Sequence, residues 1–244
     1  MKAYQRYFEQ VQSKLSVVFA QREKIEKAAE WVANCLANEG YIFTSGTGHS
    51  HIFAEEIFYR AGGFARVVAI LDEALMLHKD ASYSTEVERK EGYAAKLLAE
   101  FPLSEKDVFL ISSNSGRNTV SIEMAMIAKE KGSKVIVITN LKHTESVTSR
   151  HPSGKRLFEI ADLYIDNGGE IGDASVALEG LDFKVGATST PTGAVILQSI
   201  MVQAADNLIQ KGIIPEIFSS SNSDEGEAHN ETLIQKYKGK IKGL

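Results

Sequence analysis

A chain of 244 residues, 43% hydrophobic and 24% charged, has enough apolar side chains for a sizeable core and the composition of an ordinary globular protein. Its net charge of −5 argues against a nucleic-acid module, which carries a basic face, but not against a phosphate ligand, which local donors decide. No apolar run approaches the roughly 18 residues of a membrane span, Met1 opens no signal-peptide pattern, and a lone cysteine forms no internal disulfide, so the expectation is a cytoplasmic protein without a membrane partner.

Residues 4–38 contain no Pro or Gly and predict helix, with Phe8, Val11, Leu15, Val18 and Phe19 at helical spacing and Ile25, Ala28, Ala29, Val32 and Leu36 continuing it. The run is long enough for a break near residues 20–23. It reads either as a packing arm or as a dimerisation element, and Cys35 within it reads as a small core residue. Residues 41–45 predict a strand that enters the turn SGTGHSH, where Gly46 and Gly48 allow close backbone approach and Ser50 can cap the next helix, residues 51–61. Residues 66–71 are the next strand. Residues 72–84 show no clean period, and residues 86–100 predict a helix.

The clearest stretch is 108–140. Residues 108–111 form an apolar run, 112–118 a polar turn (SSNSGRN), 119–131 a helix stopped by Gly132, and 134–139 a second strand. This β-turn-α-β pattern predicts a right-handed crossover in a parallel sheet. Short helical turns are expected at 143–150 and 155–160, a strand at 163–165, a loop at 167–173 and one short strand within 176–185. The turn at Thr188, Ser189 and Thr190 opens a buried helix, residues 219–230 read as a mobile polar loop, and residues 231–240 form a last helix.

Three hydroxyl-rich turns, each at a helix start, offer N–H and O–H donors where the helix dipole favours an anion. In a parallel sheet they can converge outside the carboxyl ends of the strands, a surface suited to a phosphorylated polyol. A dinucleotide fingerprint fails, because His51 stands where G-x-G-x-x-G needs its third Gly, and no P-loop lysine follows any glycine turn.

SGTGHSHIFAEE, ISSNSGRNT and ATSTPTG together resemble the SIS (sugar isomerase) domain, over residues 41–212. SRHPSGKRL, GDAS and GATST are similar to a group of bacterial SIS proteins of uncharacterised activity. The resemblance implies an α/β fold, a three-layer α/β/α sandwich with a mostly parallel, flavodoxin-like sheet. Residues 1–40 would be an N-terminal helical arm and 213–244 a C-terminal polar loop and helix. It implies a sugar-phosphate ligand bound by Ser45, Gly46, Thr47 and Ser50, by Ser112, Ser113, Asn114 and Ser115, and by Thr188, Ser189 or Thr190. It also implies a homodimer with sites near the subunit boundary. Some departures matter. Asn118 stands where many members have Thr or Ser. Glu56 and Arg60 stand where zinc-dependent phosphoheptose isomerases have an H-x-x-x-E pair, and the late helix is mostly apolar, so neither metal nor cofactor is expected. The first catalytic glutamate of the muramic acid phosphate etherases falls near Arg60 and does not transfer.

Aldose–ketose isomerisation needs a base beside the carbonyl and an acid for its oxygen. Glu55 or Glu56 is the expected base and His49, His51 or His78 the acid, although either Glu could simply pair with Arg60. His143 and His151 are weaker candidates. His229, in a loop with Asp224, Glu225 and Glu227, could cover a partner's site, and Lys155 and Arg156 either neutralise a phosphate or face solvent. The expected activity is a metal-independent sugar-phosphate isomerase; the alternatives are a non-catalytic sugar-phosphate sensor module and a sugar-phosphate lyase or etherase.

Overall fold

Five apolar runs pair into one parallel sheet in the computed structural model, which describes all of residues 1–244. They are β1 (Ile42–Gly46), β2 (Val67–Ile70), β3 (Val108–Ser112), β4 (Lys134–Thr139) and β5 (Leu163–Asp166), in the order β2-β1-β3-β4-β5. β1 to β4 are almost wholly buried because both faces are covered, whereas the edge strand β5 is only partly buried. Ile42, Leu110 and Ile136 point to one face, beneath Val32 and Leu36 of α2 (Arg22–Ala37) and Ile196, Ile200 and Leu208 of the 22-residue α9 (Ser189–Gln210). Phe43, Phe109, Ile111 and Val137 point to the other, beneath α5 (Tyr93–Leu98), α6 (Thr119–Glu130), α8 (Leu157–Ile160) and α10 (Asp224–Tyr237). No helix is long and apolar enough to cross a membrane.

The leading helical run does break, into α1 (Ala3–Phe19) and α2. One side of α1 is tied down by bonds from Arg6 to the Ala177 carbonyl and from Tyr7 to the Ala187 carbonyl, and by an ion pair of Lys14 with Glu170. The other side leaves Tyr4, Phe8 and Phe19 exposed. Burial pushes the Cys35 thiol up to about 12, which keeps it protonated and inert.

Four expectations are corrected. The helix α3 (Ile52–Ile57) stops a turn before Ala61, because the Gly62 and Ala65 N–H groups bond to the carbonyls of Phe218 and Glu216 and draw the chain out of helix. The run at 86–100 is split between α4 (Ala81–Val87) and α5: Gly92 has φ +73°, its N–H bonds to the Glu123 carboxylate, and the Glu88 carbonyl accepts the Val120 N–H. The single strand expected within 176–185 is instead an antiparallel hairpin of β6 (Ala174–Val176) and β7 (Val185–Ala187). The stretch 219–230 is not a loose loop. Ser223 caps α10, its acids Asp224, Glu225 and Glu227 suit the positive end of the helix dipole, and buried Asn230 bonds both ways to the Ser219 backbone.

Candidate functional site

From β1 the chain crosses to β2 on one side, then to β3 on the other, so the two neighbours β1 and β3 send their connections in opposite directions. Such a switch point opens a crevice at the carboxyl ends of the strands. There, just beyond the paired Gly46 and Ser112, lies a cavity of about 210 Å³. Thr47, His49, Ser50, Glu88, Ser113, Asn114, Ser115, His143, Asp173, Ser189 and Thr190 line it, with Phe53 as the one apolar wall. A larger hollow beside Trp31, Val108 and Lys134 lies at the opposite, amino ends of the strands.

In the first turn, a side chain added to Gly46 would sit 2.3 Å from the Ser50 carbonyl oxygen, so only glycine lets the backbone double back. Thr47, His49 and Ser50 then reach the cavity. Ser45 does not: it is buried in the sheet and its hydroxyl donates to the Ile70 carbonyl at 3.3 Å.

The second turn is open. Ser112 is buried at the strand end, whereas Ser113, Asn114 and Ser115 face the cavity. The Ser113 hydroxyl accepts the Gly116 N–H at 3.2 Å, and Asn167 donates to the Asn114 side-chain oxygen at 2.9 Å, which fixes the loop. The backbone N–H groups of Asn114, Ser115, Arg117 and Asn118 make no hydrogen bond within the protein. They stand just before α6, where the helix dipole adds positive potential. Asn118 is turned away, its oxygen accepting from Arg150 at 2.7 Å.

The third turn is closed. The Asp173 carboxylate accepts the N–H groups of Thr188 (3.0 Å) and Ser189 (2.8 Å) and the Ser189 hydroxyl (2.5 Å). Thr188 is fully buried, with an unpaired hydroxyl. Of this trio, Thr190 alone is left uncommitted at the cavity wall.

The two expected carboxylates lie elsewhere. Glu56 is paired with Arg60 and accepts from Gln198, and the half-exposed Glu55 stands 3.5 Å from His51; neither lines the cavity. His51 turns its Nδ1 to the Gly48 carbonyl, and His78 packs beside it at 6.3 Å between ring centres. His229 contacts its own chain's Ile217 carbonyl, His151 bonds to Ser153, and Arg156 pairs with Glu159. Glu88, unassigned in the sequence, and His143, a weaker candidate there, take their place. Glu88, in the break between α4 and α5, accepts the Thr47 hydroxyl at 2.8 Å. His143, in α7 (Leu141–Glu145), accepts the Gly172 N–H on Nδ1 at 3.2 Å. Burial holds its pKa below the ordinary value, with Arg117 adding to the effect and Asp173 opposing it. The neutral ring with Nδ1 accepting carries its proton on Nε2. A Gly inside the pattern ERKEGY is the sequence signal that could have exposed Glu88.

The comparisons with known proteins agree with this architecture. The profile of the SIS domain matches residues 6–140, taking in the two leading helices. A UPF0309 protein of Listeria monocytogenes is 46% identical over 217 residues, covering 89% of this chain and 88% of that protein. A UPF0309 protein of Halalkalibacterium halodurans is 42% identical over 234 residues, covering 96% of each. Among solved structures, a phosphoheptose isomerase from Francisella tularensis superposes with a TM-score of 0.54 at 16% identity, over 84% of this chain and all of that one, a likeness of fold. With a domain match over more than half its length and close relatives along most of the rest, the chain belongs to the SIS-domain proteins of the UPF0309 family.

Proposed function

We propose that this protein binds a phosphorylated sugar in the switch-point cavity and interconverts its aldose and ketose forms. The observation that carries the reading is that Glu88 borders the same cavity as Asn114 and Ser115, whose backbone N–H groups are unbonded. The phosphate ester rests on Ser113, Ser115 and those donors, which anchors the sugar chain across the crevice. Glu88, oriented by Thr47, takes the proton from C2 of the open-chain aldose and returns it to C1, passing through an enediolate. The Nε2–H of neutral His143, or His49 on the same cavity wall, donates to the oxygen on which charge develops. Glu88 thus replaces Glu55 and Glu56 as the base, and His49 keeps a role as acid.

Proton exchange tests this. Hexose, pentose, heptose and amino-sugar phosphates are incubated with the protein in D2O, and the C1 and C2 protons are followed by NMR. Exchange with one of them, lost in Glu88→Gln while binding persists, is the expected result. Binding with no exchange across the panel overturns the isomerase and leaves a sensor module. Loss of a C3 substituent instead marks a lyase.

The proposal extends to a homodimer. Tyr4, Phe8 and Phe19 on α1 and Val195, Val202 and Ile209 on α9 are exposed apolar side chains in two helical stripes, an arrangement that a second copy would cover. Light scattering should return twice the chain mass, and Phe8→Glu with Val202→Glu should halve it.

A further inference from the structure

The segment that carries Glu88 has no core of its own. Val87 before it and Ala94 after it are fully buried, but none of residues 88–93 is. Side-chain burial therefore fixes the two ends of the segment and not the residues between. Beyond the Thr47 bond to the Glu88 carboxylate, three long-range hydrogen bonds tie it down. The Val120 N–H donates to the Glu88 carbonyl at 3.1 Å, the Gly92 N–H donates to both oxygens of the Glu123 carboxylate at 2.9 and 3.0 Å, and the Tyr93 hydroxyl donates to Asp72 at 2.9 Å. Two of the three come from one face of α6, because Val120 and Glu123 are three residues apart on that helix. A lone bond at the Glu88 carbonyl leaves the peptide free to pivot about it. A second, four residues on, removes the pivot.

Glu123 has no other partner in the protein. It is half-buried, forms no ion pair and accepts no hydrogen bond except that of Gly92. Its carboxylate grips the segment where the chain turns through the left-handed conformation of Gly92, and a bond to an ionised acceptor is stronger than one between neutral groups. The helix that grips also begins at the second turn, so α6 links the open N–H groups of Asn114 and Ser115 to the stretch that bears the Glu88 carboxylate. We propose that Glu123 is a positioning residue for the isomerisation: by holding Gly92 it keeps the Glu88 carboxylate at the cavity, within reach of C1 and C2 of the sugar. This rests on Glu88 being the base. Glu123 itself does not line the cavity.

Kinetics of proton exchange in D2O test the role, with glucose 6-phosphate, ribose 5-phosphate, glucosamine 6-phosphate and sedoheptulose 7-phosphate as the probes and thermal melting to check that each variant is folded. Glu123→Ala should lower the exchange rate at saturating sugar phosphate by about 10- to 100-fold, the cost of a catalytic group displaced by about 1 Å, while KM and the calorimetric affinity stay within about twofold. Glu123→Gln keeps an acceptor oxygen at the same reach and should recover most of the rate. In a Glu88→Gln background, Glu123→Ala should cause no further loss, since the group it positions is already gone. An unchanged rate in Glu123→Ala, the same fold-loss in both backgrounds, or a loss of affinity as large as the loss of rate overturns the positioning role and leaves Glu88 as the base. If Glu88→Gln exchanges as fast as the parent protein, or the parent exchanges none of the four sugars, the base assignment itself fails and the role of Glu123 falls with it.

Discussion

The turns at residues 113–118 and 188–190 begin alike, as short runs of hydroxyl side chains leading into long buried helices, yet they end in opposite states. At the first, four backbone N–H groups stay unbonded and two serines face the cavity. At the second, one carboxylate, Asp173, absorbs two N–H groups and a hydroxyl that an incoming anion would have used. The first is therefore suited to a ligand, and the second to holding α9 in place. The lesson is that a donor-rich helix start becomes a binding site only when the fold withholds an internal acceptor.

The largest expected effect concerns the group that faces the open turn. Glu88→Gln should lower turnover by about 10²–10⁴-fold with little change in ligand affinity, read by single-turnover kinetics and calorimetry. An unchanged rate would remove Glu88 from the chemistry. Next comes the open turn itself. Ser113→Ala and Ser115→Ala should each weaken phosphosugar binding by about tenfold or more, the worth of a hydrogen bond to a charged group. Ser189→Ala, in the closed turn, should leave affinity untouched. If the two turns respond equally, the contrast between them is wrong. Third, Asp173→Ala should cost about 1 kcal/mol of stability in chemical denaturation, as expected for a lost helix cap.

The smallest effect is a pH dependence in the loop that carries Asp173. Bonds from Lys14 and then Lys142 hold the Glu170 carboxyl down at about 2, against an ordinary 4.5. A depressed carboxylate stabilises the fold above its ordinary value, and the gain is lost as pH falls toward the folded one. The melting temperature of Glu170→Gln should therefore trail the parent protein at neutral pH, and the gap should close between pH 4.5 and 2.

How much of this was legible in the chain follows from the range of the forces involved. β3, the second turn, α6 and β4 are local and strongly patterned, and residues 108–140 read correctly as a unit. That the three turns share a crevice followed from parallel topology. Glu88 did not read out, because residues 86–100 have helical composition and the break depends on a long-range bond from Val120 and on Glu123 reaching Gly92. The closure of the third turn depends on Asp173, 15 residues before Thr188 and brought back by the β6–β7 hairpin. Glu55 and Glu56 were plausible by proximity to the first turn, but α3 points them toward His51 and Gln198.

The ion pair between Lys14 and Glu170 gives α1 a reach beyond packing. Three residues after Glu170 comes Asp173, so the opening helix is braced against the segment that closes the start of α9. Deleting the first twenty residues to obtain a trimmed expression product would release that brace and loosen one wall of the cavity along with the exposed aromatic stripe. A fusion partner attached ahead of Ala3 leaves the brace intact, because Lys14 lies more than two helical turns further in.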